Sequence, residues 1–185
     1  MQLRMLPLAA SLAVLAGCAS QSAANASSTG MPANGVEMAS VALAPASGSQ
    51  VSGKLMLMPM GDGVHVTGDI GGLAPNSTHG FHIHEKGDCS AVDASSAGGH
   101  FNPTTQPHGR YTAPQHHMGD NDNLVADASG VAHVNAHFPG AALGGGGADD
   151  VIGKAIVVHA DADDYTTQPS GNAGARIACG VITAP

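Results

Sequence analysis

The sequence predicts an all-β domain of eight antiparallel strands, packed as a sandwich or closed barrel, with two long loops that carry function. Three observations point there. Glycine is very frequent (26 of 185 residues) and proline adds 11, and both penalise helix interiors. Charged residues are only 11% of the chain and tryptophan is absent, so the surface must be largely Gly, Ser, Thr, Asn and Ala. Short apolar–polar alternations recur, and no window of about 15 residues combines helical periodicity with caps.

The first element is an address. Arg4 forms a thin positive region, and Met5 to Ala16 are apolar. That run is shorter than the ~20 residues a membrane-spanning helix needs, and it fits the apolar part of a signal peptide. It ends in Leu15-Ala16-Gly17-Cys18, which resembles the lipobox of bacterial lipoproteins and implies cleavage before Cys18 and lipidation of that residue. An ordinary signal peptide cleaved after Ala26, discarding Cys18, is the alternative. The expected organisation is a signal peptide at 1–17, a lipid-anchor Cys and flexible tether at 18–36, and one domain at 37–185. Localisation is then exported and periplasmic, as a membrane-anchored lipoprotein. Ala19 after Cys18, rather than Asp, favours the outer membrane.

Candidate strands follow at 38–45, 50–60, 63–70, 80–85, 123–127, 130–138, 154–160 and 176–183. In the second, Val51, Gly53, Leu55 and Leu57 alternate with Ser52, Lys54 and mostly Met. In the sixth, Ala132, Val134 and Ala136 alternate with His133, Asn135 and His137. Gly61-Asp62-Gly63 and Asp127-Ala128-Ser129-Gly130 read as turns. Gly144 to Gly147 lack the Lys-Ser/Thr and helix that a phosphate loop needs, so they read as a surface loop. Residues 86–122 and 161–175 break the rhythm, and long loops in a small domain are usually functional. Acids outnumber Lys plus Arg by 14 to 6, which argues against a nucleic-acid partner.

Chemistry concentrates in His82, His84, His100, His108, His117, Asp120 and His159. Side chains two apart on a strand share a face, so His82 and His84 form a chelating pair about 7 Å apart. His159 follows the apolar run 155–158 and could complete that site from a neighbouring strand. His117-x-x-Asp120 can bite one ion after a turn, and His108 lies in the same loop. His116 raises a question of register, but only His117 keeps the His-x-x-Asp spacing. Three His and one Asp complete a tetrahedral zinc shell, whereas four imidazoles suit copper(II) with an open axial face. Seven residues fill eight positions only if one imidazole bridges, and by its place in the order that is His100. With Cys18 assigned to lipid, Cys89 and Cys179 remain as an even pair. In an exported chain they read as a bridge, closing a loop worth up to ~4.5 kcal/mol, or else one is a thiolate ligand.

Gly80-Phe81-His82-Ile83-His84-Glu85, Gly99-His100-Phe101-Asn102-Pro103, His117-Met118-Gly119-Asp120, Val158-His159 and Gly171 to Val181 closely resemble blocks of the copper/zinc superoxide dismutases. The resemblance runs in order from about residue 38 to the C-terminus. It implies a Greek-key β-barrel with one copper and one zinc per subunit. It places His82, His84, His100 and His159 on copper, and His100, His108, His117 and Asp120 on zinc. It also implies a Cys89–Cys179 disulfide and Arg176 beside copper, with Arg176 and His100 as the catalytic residues. The implied reaction is dismutation of superoxide to dioxygen and hydrogen peroxide by alternate reduction and reoxidation of copper.

Asp163 matches a family carboxylate that hydrogen-bonds one histidine of each metal, and His79 matches a supporting histidine. Cys89 lies only five residues after His84, and Asn121-Asp122-Asn123-Leu124 follows the zinc aspartate. Both look bacterial, and the second puts transfer of the eukaryotic dimer interface in doubt. A homodimer is one arrangement open to the chain. His65, His133 and His137 lack a ligand-spacing partner and read as surface or structural. Lys86 and Arg110 are either steering charges for superoxide or plain solvated ones. The alternative function is a non-catalytic copper or zinc store on the same fold. Arg176 discriminates, because a store needs no fixed cation beside an open metal.

Overall fold

Period-two alternation decides which face of each strand meets the core. In β1 (Ala39–Pro45) Ala39, Val41 and Leu43 are buried, and in β2 (Ser52–Met60) Leu55 and Leu57 are. Val64, Val66 and Ile70 of β3 (Gly63–Gly71) pack beside Ala132, Val134, Ala136 and Phe138 of β7 (Ala132–Pro139). Each fully buried Leu, Ile or Phe side chain contributes roughly 1.5–3 kcal/mol. The structure, a computed structural model, describes residues 35–185 together with Gln2. The expected signal peptide, Cys18 and nearly all of the tether lie outside the described residues. Val36, assigned above to the tether, already donates its N–H to Leu143 O, so ordered packing starts one residue before the expected boundary.

The remaining strands are β4 (Thr78–His79), β5 (Phe81–His84), β6 (Leu124–Val125), β8 (Ala155–His159) and β9 (Arg176–Val181). Seven form one antiparallel sheet in the order β5-β8-β9-β1-β2-β3-β7, while β4 pairs with β6. After β3 the chain crosses to the far end of the sheet for β5, then returns to lay β7 beside β3. That excursion is the Greek-key element, and the sheet curls into a half-barrel. β4 precedes the expected strand at 80–85 and is parted from β5 at Gly80. A Cβ there would lie 2.9 Å from Ala173 Cβ and 3.1 Å from His82 Cε1, so the chain needs glycine where it passes the histidines. The expected strand at 123–127 is reduced to two residues.

All four residues of β5 are buried, because both of its faces are covered. Phe81 and Ile83 join the main core, and His82 and His84 face the long loops. The outer edge of β5 is also closed. Phe101 N–H donates to Ile83 O, Ile83 N–H to Gly119 O, and Gly119 N–H to Phe101 O, each within 2.9 Å. Glu85 N–H donates to Gly99 O. The loop 86–122 thus supplies the ladder partners that an edge strand would otherwise lack. Gly119 is required there, since a Cβ would stand 2.2 Å from Ile83 O. On the outward face of β8 and β9, Ala46, Ala94, Ala97, Ala155, Val157 and Cys179 form a second small core. A Cys89–Cys179 disulfide, spanning 90 positions, pins the loop onto it.

Candidate metal centre

His82 and His84 leave β5 on one face, and His159 reaches them from the paired strand β8. A register shift between Val158 and His159 sets His159 opposite Arg176 of β9. His100 enters from the loop through a bridge to His84. One ligand atom from each of His82, His84, His100 and His159 lies within 4.8 Å of the others, and all four residues are buried. A second quartet, His100, His108, His117 and Asp120, meets the same limit. His100 belongs to both.

The outer nitrogens of His82, His84 and His159 are already engaged. His82 Nε2 meets Asp163 Oδ2 at 2.8 Å, His84 Nδ1 meets Gly98 O at 3.0 Å, and His159 Nδ1 faces Gly174 O at 3.4 Å. Those contacts select the tautomer that leaves His82 Nδ1, His84 Nε2 and His159 Nε2 as lone pairs pointing inward. His82 Nδ1 and His100 Nε2 are buried without any hydrogen-bond partner. Burial without a partner is costly for a polar atom, and a bound ion removes that cost.

In the second quartet Asp120 Oδ1 lies 2.7 Å from His100 Nδ1, 3.0 Å from His108 Nδ1 and 3.2 Å from His117 Nδ1. A tetrahedral zinc with bonds of about 2.0–2.2 Å has ligand–ligand edges of about 3.3 Å, so the cage is close to size. The other carboxylate oxygen, Oδ2, accepts the backbone N–H groups of Gly109 and His117, which fixes the direction of Oδ1. Both donor sets fit the metals their chemistry suggests: four imidazoles for copper, and three imidazoles with a carboxylate for zinc.

Asp163 spans the two quartets. Its Oδ2 takes His82, its Oδ1 takes His108 Nε2 at 3.0 Å, and it is itself buried. Sequence reasoning missed what holds it. Asn123 accepts the Asp163 N–H and donates Nδ2 to its carbonyl, and Tyr165 N–H donates to Oδ1. Gln168 clamps His108 through the latter's N–H and C=O, both at 2.8 Å. Gly171, at φ 68°, lies so close that a Cβ would stand 1.7 Å from Asp163 Oδ1. The glycine sat in a recognisable block, but nothing local marked Asn123 or Gln168.

Arg176 donates Nη1–H to Ala94 O and Nη2–H to Gly98 O, at 2.7 and 2.6 Å. Gly98 O therefore accepts from both Arg176 and His84. Arg176, His84, His100, His117, His159 and Ser170 line one cleft. Arg110 is engaged elsewhere, in a bidentate pair with Asp122 and over the Tyr165 ring. His79 links Ser77 to His159 O. His116 turns its Nδ1 to His117 O, away from the quartet. His133 pairs with Asp69 on the surface, and Lys86 is exposed.

Burial first, and then the neighbouring imidazoles, hold His84 and His159 well below the usual histidine range. Burial and His82 push His100 down to about 4, against the pull of Asp120. Burial also pushes His108 down, but hydrogen bonds to Asp120 and Asp163 outweigh it and raise the group to about 9. Burial raises both carboxylates, and their histidine hydrogen bonds outweigh it, so both end below the ordinary carboxylate range. The lowered histidines bind fewer protons folded than unfolded, so their contribution is complete above about pH 6.5 and is lost as pH falls through their folded values. His108 acts oppositely, stabilising fully below about 6.5 and fading as pH rises through about 9. Three lowered imidazoles and two lowered carboxylates outweigh one raised imidazole on the acid side. The chelator-stripped protein should therefore lose melting temperature steadily from pH 7 to pH 4. A flat or rising profile in thermal melts would contradict these directions.

An all-β scaffold with two histidine-rich cages sharing one imidazole defines a dinuclear metalloprotein. The copper/zinc superoxide dismutase family model matches residues 51–182. A copper-zinc superoxide dismutase of Aquifex aeolicus is 40% identical over 136 residues, 72% of this chain and 80% of its own. One from Mesembryanthemum crystallinum is 42% identical over 141 residues, 72% of this chain and 88% of its own. The crystal structure of a superoxide dismutase-like protein from Bacillus subtilis superposes with a TM-score of 0.70 at 39% identity. It covers 77% of this chain and 96% of the Bacillus chain. The chain belongs to the copper/zinc superoxide dismutase family: it is an oxidoreductase that dismutes superoxide with copper and zinc.

Proposed function

We propose that His82, His84, His100 and His159 hold copper, that His100, His108, His117 and Asp120 hold zinc, and that Arg176 binds the substrate anion. The observation that carries this reading is His100, whose two ring nitrogens face the two ligand sets. Copper supplies the electron exchange with superoxide by alternating between its cupric and cuprous states. The chain does the rest.

Arg176 presents a positive charge in the cleft that His84, His100 and His159 line. Its two backbone acceptors hold the guanidinium there before any substrate arrives, so no reorganisation is needed on binding. That focus matters because the residues after position 17 carry five cations against 14 acids, and their average field repels an anion. Two superoxide ions and two protons give one dioxygen and one hydrogen peroxide. His100 takes up one proton at Nε2 in one half-reaction and returns it to the departing peroxide in the other, and water supplies the second. Asp120, His108 and His117 would hold the zinc that anchors the ring at Nδ1 meanwhile. Asp163 ties His82 to His108, so each quartet orients the other.

Changing Arg176 to Ala should lower the second-order rate about tenfold or more and flatten its dependence on ionic strength, with copper content unchanged. Arg176→Lys should recover part of the rate. Stopped-flow decay of superoxide at several salt concentrations checks this, and a rate indifferent to both changes would refute the role.

The leader and Leu15-Ala16-Gly17-Cys18 support export and anchoring through a lipidated Cys18, in the periplasm and at the outer membrane. Detergent phase partition of the mature protein should place it with the detergent, and Cys18→Ser should move it to the aqueous phase. A mature chain beginning beyond Cys18 would contradict the anchor.

A further inference from the structure

We infer that the outward face of β2, β3 and β7 carries a third metal position, for a monovalent soft cation such as copper(I), built on Met58, His65 and His137. Outward positions of a half-exposed antiparallel strand are ordinarily polar. In β2 they read Lys54, Met56, Met58 and Met60, and Met58 and Met60 are 40% and 47% exposed. Register puts Met58 opposite His65 and His65 opposite His137, so three potential ligands form one row across three strands. Neighbours directly opposite have Cβ atoms about 5 Å apart. Met38 is 45% exposed and lies one residue beyond the Ala39–Leu57 pair, at the β1 end of the same row. Four of the chain's eight methionines thus lie on this face.

Two further observations separate this row from a chance apolar strip. The His65 and His137 rings stand 6.4 Å apart, the same separation as His82 and His84 within the copper quartet. His137 Nε2 donates to Asp62 Oδ1 at 2.9 Å, which leaves Nδ1 as a lone pair. That Nδ1 and the Nδ1 of His65 are both buried without a hydrogen-bond partner. A carboxylate behind an imidazole whose other nitrogen is free is the arrangement that orients a metal ligand. Thioethers beside imidazoles select copper(I) over harder divalent ions. Met58 and Met38 are flexible enough to close over an ion that the two rings hold.

The test uses the full chain loaded with copper and zinc, in a Cys18→Ser background that keeps the protein in the aqueous phase. Anaerobic titration with copper(I) against a chromogenic copper(I) chelator should show one further equivalent bound, and silver(I) should shift the His65 and His137 ring resonances. Met58→Leu and His65→Gln should each weaken that binding tenfold or more, and the triple variant with His137→Gln should abolish it. Dismutation and melting temperature should stay as in the parent, which separates loss of the site from loss of the fold. No extra equivalent in the parent, or undiminished binding in the triple variant, would overturn the inference.

Discussion

His100→Ala is expected to lower dismutation by more than about a hundredfold and to release metal from both cages. Removing a partner that merely orients a metal ligand already costs about 10–100-fold, and His100 is proposed as a ligand itself. Its Nδ1 stands 2.7 Å from Asp120 Oδ1, while its Nε2 is a buried lone pair that belongs to the quartet with His82, His84 and His159. The contrast with His84→Ala makes the prediction specific. His84 belongs to one quartet only, so that variant should lose copper and keep zinc. Elemental analysis of the two purified variants distinguishes them. Full zinc occupancy in His100→Ala would mean that the imidazole is not shared.

Breaking the Cys89–Cys179 disulfide with a double Ser variant is expected to cost about 2–5 kcal/mol of stability and a large part of the activity. The stability loss follows from freeing a link across 90 positions, and denaturant unfolding measures it. The loss of activity has a local cause. Cys179 lies three residues after Arg176, and Cys89 pins the loop whose Ala94 and Gly98 carbonyls hold the guanidinium. Gly98 O also accepts from His84 Nδ1, so a loosened loop disturbs the charge and a proposed copper ligand together. Activity retained in a fully reduced, still folded protein would show that the sheet alone positions both.

The long strands were legible because period-two alternation over seven to nine residues says which face is buried. β4 and β6, at two residues each, carry no such signal, and they exist only because they pair with each other. The two quartets were legible for a related reason: His-x-His in a strand and His-x-x-Asp in a turn fix which side chains can meet. What surrounds them was not. Gln168 reaches His108 across 60 positions and Asn123 reaches Asp163 across 40, contacts that depend on how two loops fold over each other. Arg110 looked available for steering until the fold set it against Asp122 and Tyr165. The alternation of methionine in β2 was visible too, but its partners His65 and His137 come into line only through the register of three strands.

In the proposed site one histidine joins two different metals. Crystals of the protein loaded with copper and zinc, measured by anomalous scattering at both absorption edges, test it most directly. Copper should lie among His82, His84, His100 and His159, and zinc among His108, His117, Asp120 and the same His100. Copper and zinc mixed in both cages, or a His100 ring that contacts only one ion in the oxidised protein, would contradict it.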